Sequence, residues 1–288
     1  GTLVRDADGR ATGLLRETAQ RLVAKVGEAY QAQRPESQKR AELRERVLLA
    51  GEQALAHGVT SFHDAGADFA TIDFYKEMEA AEELPIRLNV MVRSQSNAEL
   101  AENLAAYRMV AQDNDFLTVR SIKRQVDGAL GSHGAWLLAP YADLPSTAGL
   151  VLEPIEEIME TAKLAIEHGY QLNTHAIGDR ANREILDSYE QAFSTAEVPG
   201  QTLRWRIEHA QHVDPADVGR FADLGVIAAF QENWGQKRVE LYDLSRDRSE
   251  AEDLSEAMPE LRKVLEEKLD GFPAEVGAET RKTPSKAK

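Results

Sequence analysis

Three short stretches constrain this chain most: ALAHGVTSF at 54–62, AIEHGYQLN at 165–173 and ADLGVIAAF at 222–230. Each closes a helical pattern, passes through a glycine and enters an apolar run suited to a buried strand. Glycine fits that junction because the residue after a helix commonly turns left-handed, a conformation that a Cβ disfavours. AEELPIRLNVMV, at 81–92, makes the same passage through a proline. Helix alternating with strand at this pace predicts βα units and a parallel sheet.

The predicted strands are 59–64, 86–93, 118–126, 171–175, 204–209 and 226–230. Amphipathic helices are predicted over 37–57, 97–112, 153–168, 180–194 and 214–224. Such an α/β chain suits either an open doubly wound sheet or part of a closed (β/α)8 TIM-type barrel. It contains no GxGxxG or GxxxxGK[ST], so the nucleotide-binding version of the open sheet gains no support. The segment 127–152 reads as a long glycine-rich loop with no clear helix, of a kind that is commonly functional. Past Phe230 the βα rhythm stops. A boundary is expected there, followed by an α+β strand–helix extension over 231–278 and a solvated tail over 279–288.

At 288 residues the chain can bury a substantial core. Its net charge of −15 sets an acidic surface against phosphate backbones, so no nucleic acid is expected as a partner. No apolar run approaches the roughly 20 residues that span a membrane, and the first residues carry no secretory signal; a cytoplasmic location is the expectation. The cysteine count is zero, which excludes disulfides, thiolate metal sites and cysteine nucleophiles. A metal would have to be held by His, Asp, Glu or a modified Lys.

In a barrel, chemistry sits at the C-terminal ends of the strands. The predicted strands end there in His63-Asp64, in Lys123 through Asp127, in His175, and in Glu208-His209 with His212 close behind. Side chains alternate along a strand, so Lys123, Gln125 and Asp127 share a face, Asn173 and His175 share one, and Trp205, Ile207 and His209 share one. If those faces point inward, Lys123, His175 and His209 converge on a site that suits zinc or a similar ion. Taken singly, each has a plainer reading: Lys123 as a hydrated surface lysine, His175 and His209 as packed strand-end histidines. Asp127, His133, Asp179 and His212, near the same mouth, are the candidate substrate-binding residues. Asp179 also reads as the N-cap of helix 180–194, and His57 and His168 as residues that favour the helix dipole.

Taken together, GTLVRDADGRATGLLRE, GVTSFHDAG, SIKRQVDGALGSHGAWLLAPYAD, LNTHAIGDRAN and RIEHAQHV resemble the amidohydrolase superfamily, specifically the amidohydrolase 3 (YtcJ-like) metal-dependent hydrolases, over about residues 1–230. The resemblance implies a distorted TIM barrel and hydrolysis of a C–N bond in a small amide-like substrate by a metal-activated water. By motif, Lys123 in SIKRQVDG matches a lysine that takes up CO2 to form a carbamate. His175 in NTHAIGD and His209 in IEHAQ match the fifth- and sixth-strand ligands of one or two divalent ions, zinc being expected. The first-strand HxH pair and the eighth-strand aspartate of that family are absent, so no catalytic residue is assigned and about strands two to seven of eight are expected. The competing reading is a catalytically inactive truncated barrel, with open edges that would favour homo-oligomers. KRVELYDLSRDRSEAEDLSEAMPELRKVLEEKLDGFPAEVGA resembles the C-terminal end of bacterial sulfatases but lacks their CxPxR or SxPxR signature, and a fusion near 228–232 is the expectation it raises.

Overall fold

The computed structural model of the chain describes residues 1–93, 95–110, 115–230 and 263. The extension and tail expected over 231–278 and 279–288 therefore lie outside the described residues, apart from Lys263. An antiparallel hairpin opens the chain, β1 (Thr2–Arg5) with β2 (Ala11–Arg16), and leads into α1 (Arg21–Ala32) and α2 (Glu36–Ala56). Then the βα alternation begins: β3 (Ser61–Ala67), α3 (Phe69–Ala80), β4 (Arg87–Val92), α4 (Asn97–Tyr107) and β5 (Leu117–Gln125). It continues with α5 (Ile155–His168), β6 (Gln171–Ala176), α6 (Asp179–Ala196), the single turn α7 (Gly200–Leu203), β7 (Arg206–His209), α8 (Val218–Leu224) and β8 (Ile227–Ala229).

β3 to β8 form one six-stranded parallel sheet in sequential order, curled into a half-barrel. All six predicted strands are present. The hairpin, α1 and α3 were not predicted, and α4 ends at Tyr107 rather than 112. The three junction glycines, Gly58, Gly169 and Gly225, have φ of +74°, +69° and +69°, the left-handed geometry their position calls for. Among the described residues no helix is long and apolar enough to cross a membrane.

The outer face of the sheet packs on the helices. Val90, Val92, Ile122, Leu172, Ala176, Trp205 and Ile207 meet Leu100, Leu104, Ile158, Ile185 and Tyr189 in one continuous core. Trp205 is fully buried, with its ring 4.8 Å from Tyr189 and 5.0 Å from Phe193 of α6, and its Nε1 donates to the Tyr170 carbonyl. Trp205→Ala is expected to destabilise the chain by about 3–5 kcal/mol, seen as a lower denaturant midpoint. A register irregularity between β4 and β5 pairs Val90 with Val119 but Met91 with Ser121. The extra residue, Arg120, reverses the alternation, so that Ile122 enters the helix layer and Lys123 turns to the concave face.

Candidate metal centre

The concave face is a row of polar groups. Asn89, Met91 and Arg93 come from the β4 side, Lys123 and Gln125 from β5, Asn173 and His175 from β6, and Arg206 and Glu208 from β7. The ladder sets Lys123 beside Asn173, Gln125 beside His175, Asn173 beside Arg206 and His175 beside Glu208. Asn173 Nδ2 reaches Met91 Sδ at 3.4 Å, and at the rim Asn89 Nδ2 lies 3.3 Å from His63 Nδ1.

Lys123 is 6% exposed, which removes the surface-lysine reading. Its ammonium donates to the Arg124 carbonyl at 3.1 Å. Burial first, and then the charge of Arg93, push its pKa down to about 8, against a partial upward pull from Glu208 and Glu153. His63 is also held below its ordinary value, by partial burial and then by Arg206. Burial lifts Glu153, against the pull of Arg124.

His175 is 8% exposed and stacks edge-on against His209, with ring centroids 4.5 Å apart and planes at 73°. His209 arrives there by a route that alternation does not predict. Trp205 and Ile207, expected on the same inward face as His209, belong to the helix layer instead, while Arg206 and Glu208 point inward. His209 and Ala210 adopt φ of +77° and +40°, and this left-handed bend at the strand end swings the imidazole back over His175. Nε2 of His175 is buried and makes no hydrogen bond, although Asp127 Oδ1 lies 3.3 Å away.

The other four candidates hold the mouth together. Asp127 is fully buried, and its carboxylate accepts from the amides of Ile177 (3.0 Å), Gly178 (2.8 Å) and Trp136 (2.9 Å). Asp179 is the first residue of α6 rather than its N-cap, which is Gly178; its Oδ1 accepts from Leu138 N and Arg180 N. Both carboxylates thus tie the loop after β5 onto the β6–α6 turn. Gly178 is required there, because a Cβ would stand 1.9 Å from the Trp136 carbonyl oxygen. His133, at φ +58° in the turn after the short 3-10 helix Leu130–Ser132, lies 3.0 Å from Asp143 and edge-on to Tyr141. His212 is exposed, and its backbone joins Ile177 O and Asn182 Nδ2. His57 closes α2 with its ring 2.8 Å from Gln53 O, and His168 stands in the last turn of α5.

Among the described residues no group of three or more His, Asp and Glu side chains is arranged to hold a metal ion. The donor set still suits one in part. Two imidazoles touch, one with a buried nitrogen lacking a hydrogen bond, on the same face as a buried lysine whose amine loses its proton readily. In its ammonium form Lys123 cannot ligate, so these side chains as they stand supply two nitrogen donors. Sequence reading passed over Arg93 and Arg206, and gave Glu208, named at the end of its strand, no role. The alternation of Asn89, Met91 and Arg93 with Val90 and Val92 was the available signal for the first.

The amidohydrolase family description matches residues 1–255, of which the part beyond Phe230 falls outside the described residues. The chain is 31% identical over 242 residues to Protein LONG AFTER FAR-RED 3 of Arabidopsis thaliana, covering 80% of this chain and 39% of that protein. It is 28% identical over 238 residues to the Putative amidohydrolase YtcJ of Bacillus subtilis, covering 80% and 41%. Among solved structures, an uncharacterized metal-dependent hydrolase from Pyrococcus horikoshii matches with a TM-score of 0.60 at 26% identity, over 80% of this chain and 44% of that one. Another from Pyrococcus furiosus matches with a TM-score of 0.55 at 29% identity, over 65% and 37%. The chain thus spans about two fifths of the length of these curated relatives. With a family match over most of its residues and metal-dependent hydrolases as its structural neighbours, the chain belongs to the amidohydrolase family.

Proposed function

We infer that this chain is the middle portion of a metal-dependent hydrolase that cuts amide-like C–N bonds, with Lys123, His175 and His209 as its share of the metal ligands and zinc as the ion. The observation that carries the reading is the touching pair of imidazoles, buried His175 and half-buried His209 with centroids 4.5 Å apart, on the same concave face as the buried Lys123. Zinc accepts nitrogen and oxygen donors in this kind of set. Bound there, the ion supplies Lewis acidity to the reaction. In the net reaction water adds across the C–N bond: a C–O bond forms, the C–N bond breaks and the amine leaves with a proton. Asp127 and Asp179 hold the loop 127–152 over the mouth, where it shapes the space open to substrate.

Lys123 contributes only after modification. Its neutral amine attacks CO2, an N–C bond forms and one proton is released, giving a carbamate. Because burial lowers its pKa to about 8, the neutral fraction grows as pH climbs through that value. At fixed dissolved CO2, carbamate formation is therefore expected to rise several-fold between about pH 7 and about pH 9, well below the range of an ordinary lysine. Carbon-13 NMR of protein equilibrated with labelled CO2 reads this directly, and Lys123→Met should lack the signal. A carbamate signal that persists in Lys123→Met, or none in the wild type, would remove Lys123 from the ligand set.

We further propose that the segment 231–278 is an extension joined near 230, on the strength of its sulfatase-like motif and against a family match that runs on to residue 255. Sequencing the source locus across the junction tests it. An eighth βα unit continuing in frame would count against fusion.

A further inference from the structure

We propose that Arg93 is a substrate-recognition residue, and that the hydrolase takes amide-like substrates carrying a carboxylate. This rests on the hydrolase reading for the word substrate, but on separate observations for the site. Arg93 follows β4 directly, two residues beyond Met91 on the concave face, so it stands at the mouth beside the candidate metal centre. Its guanidinium donates to two neutral oxygens, Gln125 Oε1 at 2.8 Å and the Ala65 carbonyl at 3.4 Å. No carboxylate lies within ion-pair distance of it among the described residues, in a chain that carries 49 acidic against 34 basic residues.

The position is built. The β3–β4 ladder shifts register between Asp64 and Ala67, a bulge that turns the Ala65 carbonyl toward Arg93. Gly66 sits inside it, and a Cβ there would stand 2.4 Å from Arg93 Cβ and 3.0 Å from its Cδ. Only glycine leaves room for the arginine stem. Gln125 is braced in turn, its Nε2 donating to the Asp127 carbonyl, so the oxygen facing Arg93 is fixed. A held, half-buried guanidinium with donors to spare is suited to the two oxygens of a carboxylate. Glu153, whose carboxylate feels the Arg93 charge, disfavours a dianion there and so favours a carboxylate over a phosphate.

The test is a ligand-observed NMR titration of the full chain with N-acetylglycine and with N-acetylglycinamide, the same molecule without the charge. The wild type is expected to bind the acid on the order of 10- to 100-fold more tightly than the amide. Arg93→Gln should erase that preference, while Arg93→Lys should keep part of it. Equal binding of the two probes by the wild type, a preference that survives Arg93→Gln, or inorganic phosphate binding as well as the acid would overturn the assignment. Should Arg93→Gln lose its fold, perturbation of the wild-type Arg93 Nε–H signal by N-acetylglycine supports the inference, and its absence overturns it. No turnover or metal is needed, so zinc titration of the same samples tests the hydrolase reading separately.

Discussion

Asp127→Ala is expected to lower the unfolding free energy by about 3–5 kcal/mol, a fall in Tm on the order of 10 °C. The carboxylate is fully buried and is the acceptor for three backbone amides, those of Trp136, Ile177 and Gly178. Each amide left buried without a partner costs about 1–3 kcal/mol, and water entering the gap recovers part of the sum. The loss should be local in origin, because the three donors belong to the loop after β5 and to the β6–α6 turn. Thermal unfolding measures it, and hydrogen exchange at Trp136, Ile177 and Gly178 should accelerate before the core amides do. A Tm within about 2 °C of wild type would show that these bonds are not what holds the mouth.

How far the sequence revealed this depends on what each residue answers to. The strands were legible because their signals are local: a glycine that must turn left-handed, then an apolar run. The hairpin β1–β2 and helix α3 escaped because neither carries such a punctuated pattern. At the site, Lys123 and His175 followed from alternation along their strands. Arg120 restores the inward face of Lys123 through an irregularity that a single strand read alone does not reveal. His209 had the right destination for the wrong reason. Its strand neighbours Trp205 and Ile207 face the helices, and only the left-handed turn at 209–210 brings the imidazole to His175. Asp127 and Asp179 look chemical in sequence because acids at strand ends often are. The backbone partners that give them their structural role, Ile177 and Gly178 for Asp127 and Leu138 for Asp179, lie distant along the chain, and no local pattern encodes them.

His175→Ala and His209→Ala should carry the largest effect of all. The described residues offer two imidazoles and one modifiable lysine, and zinc sites use three or four protein ligands. Losing either ring leaves too few donors to retain the ion against dialysis, so the affinity should fall by at least about 100-fold in each variant. Neither change should unfold the chain, since both rings lie at strand ends outside the apolar core.

Elemental analysis of the dialysed, zinc-exposed wild type beside these two variants is the most direct measurement. Roughly one zinc per chain in the wild type and almost none in either variant is the predicted result. Equal zinc in all three proteins, or none in a well-folded wild type, would contradict a shared ion between His175 and His209.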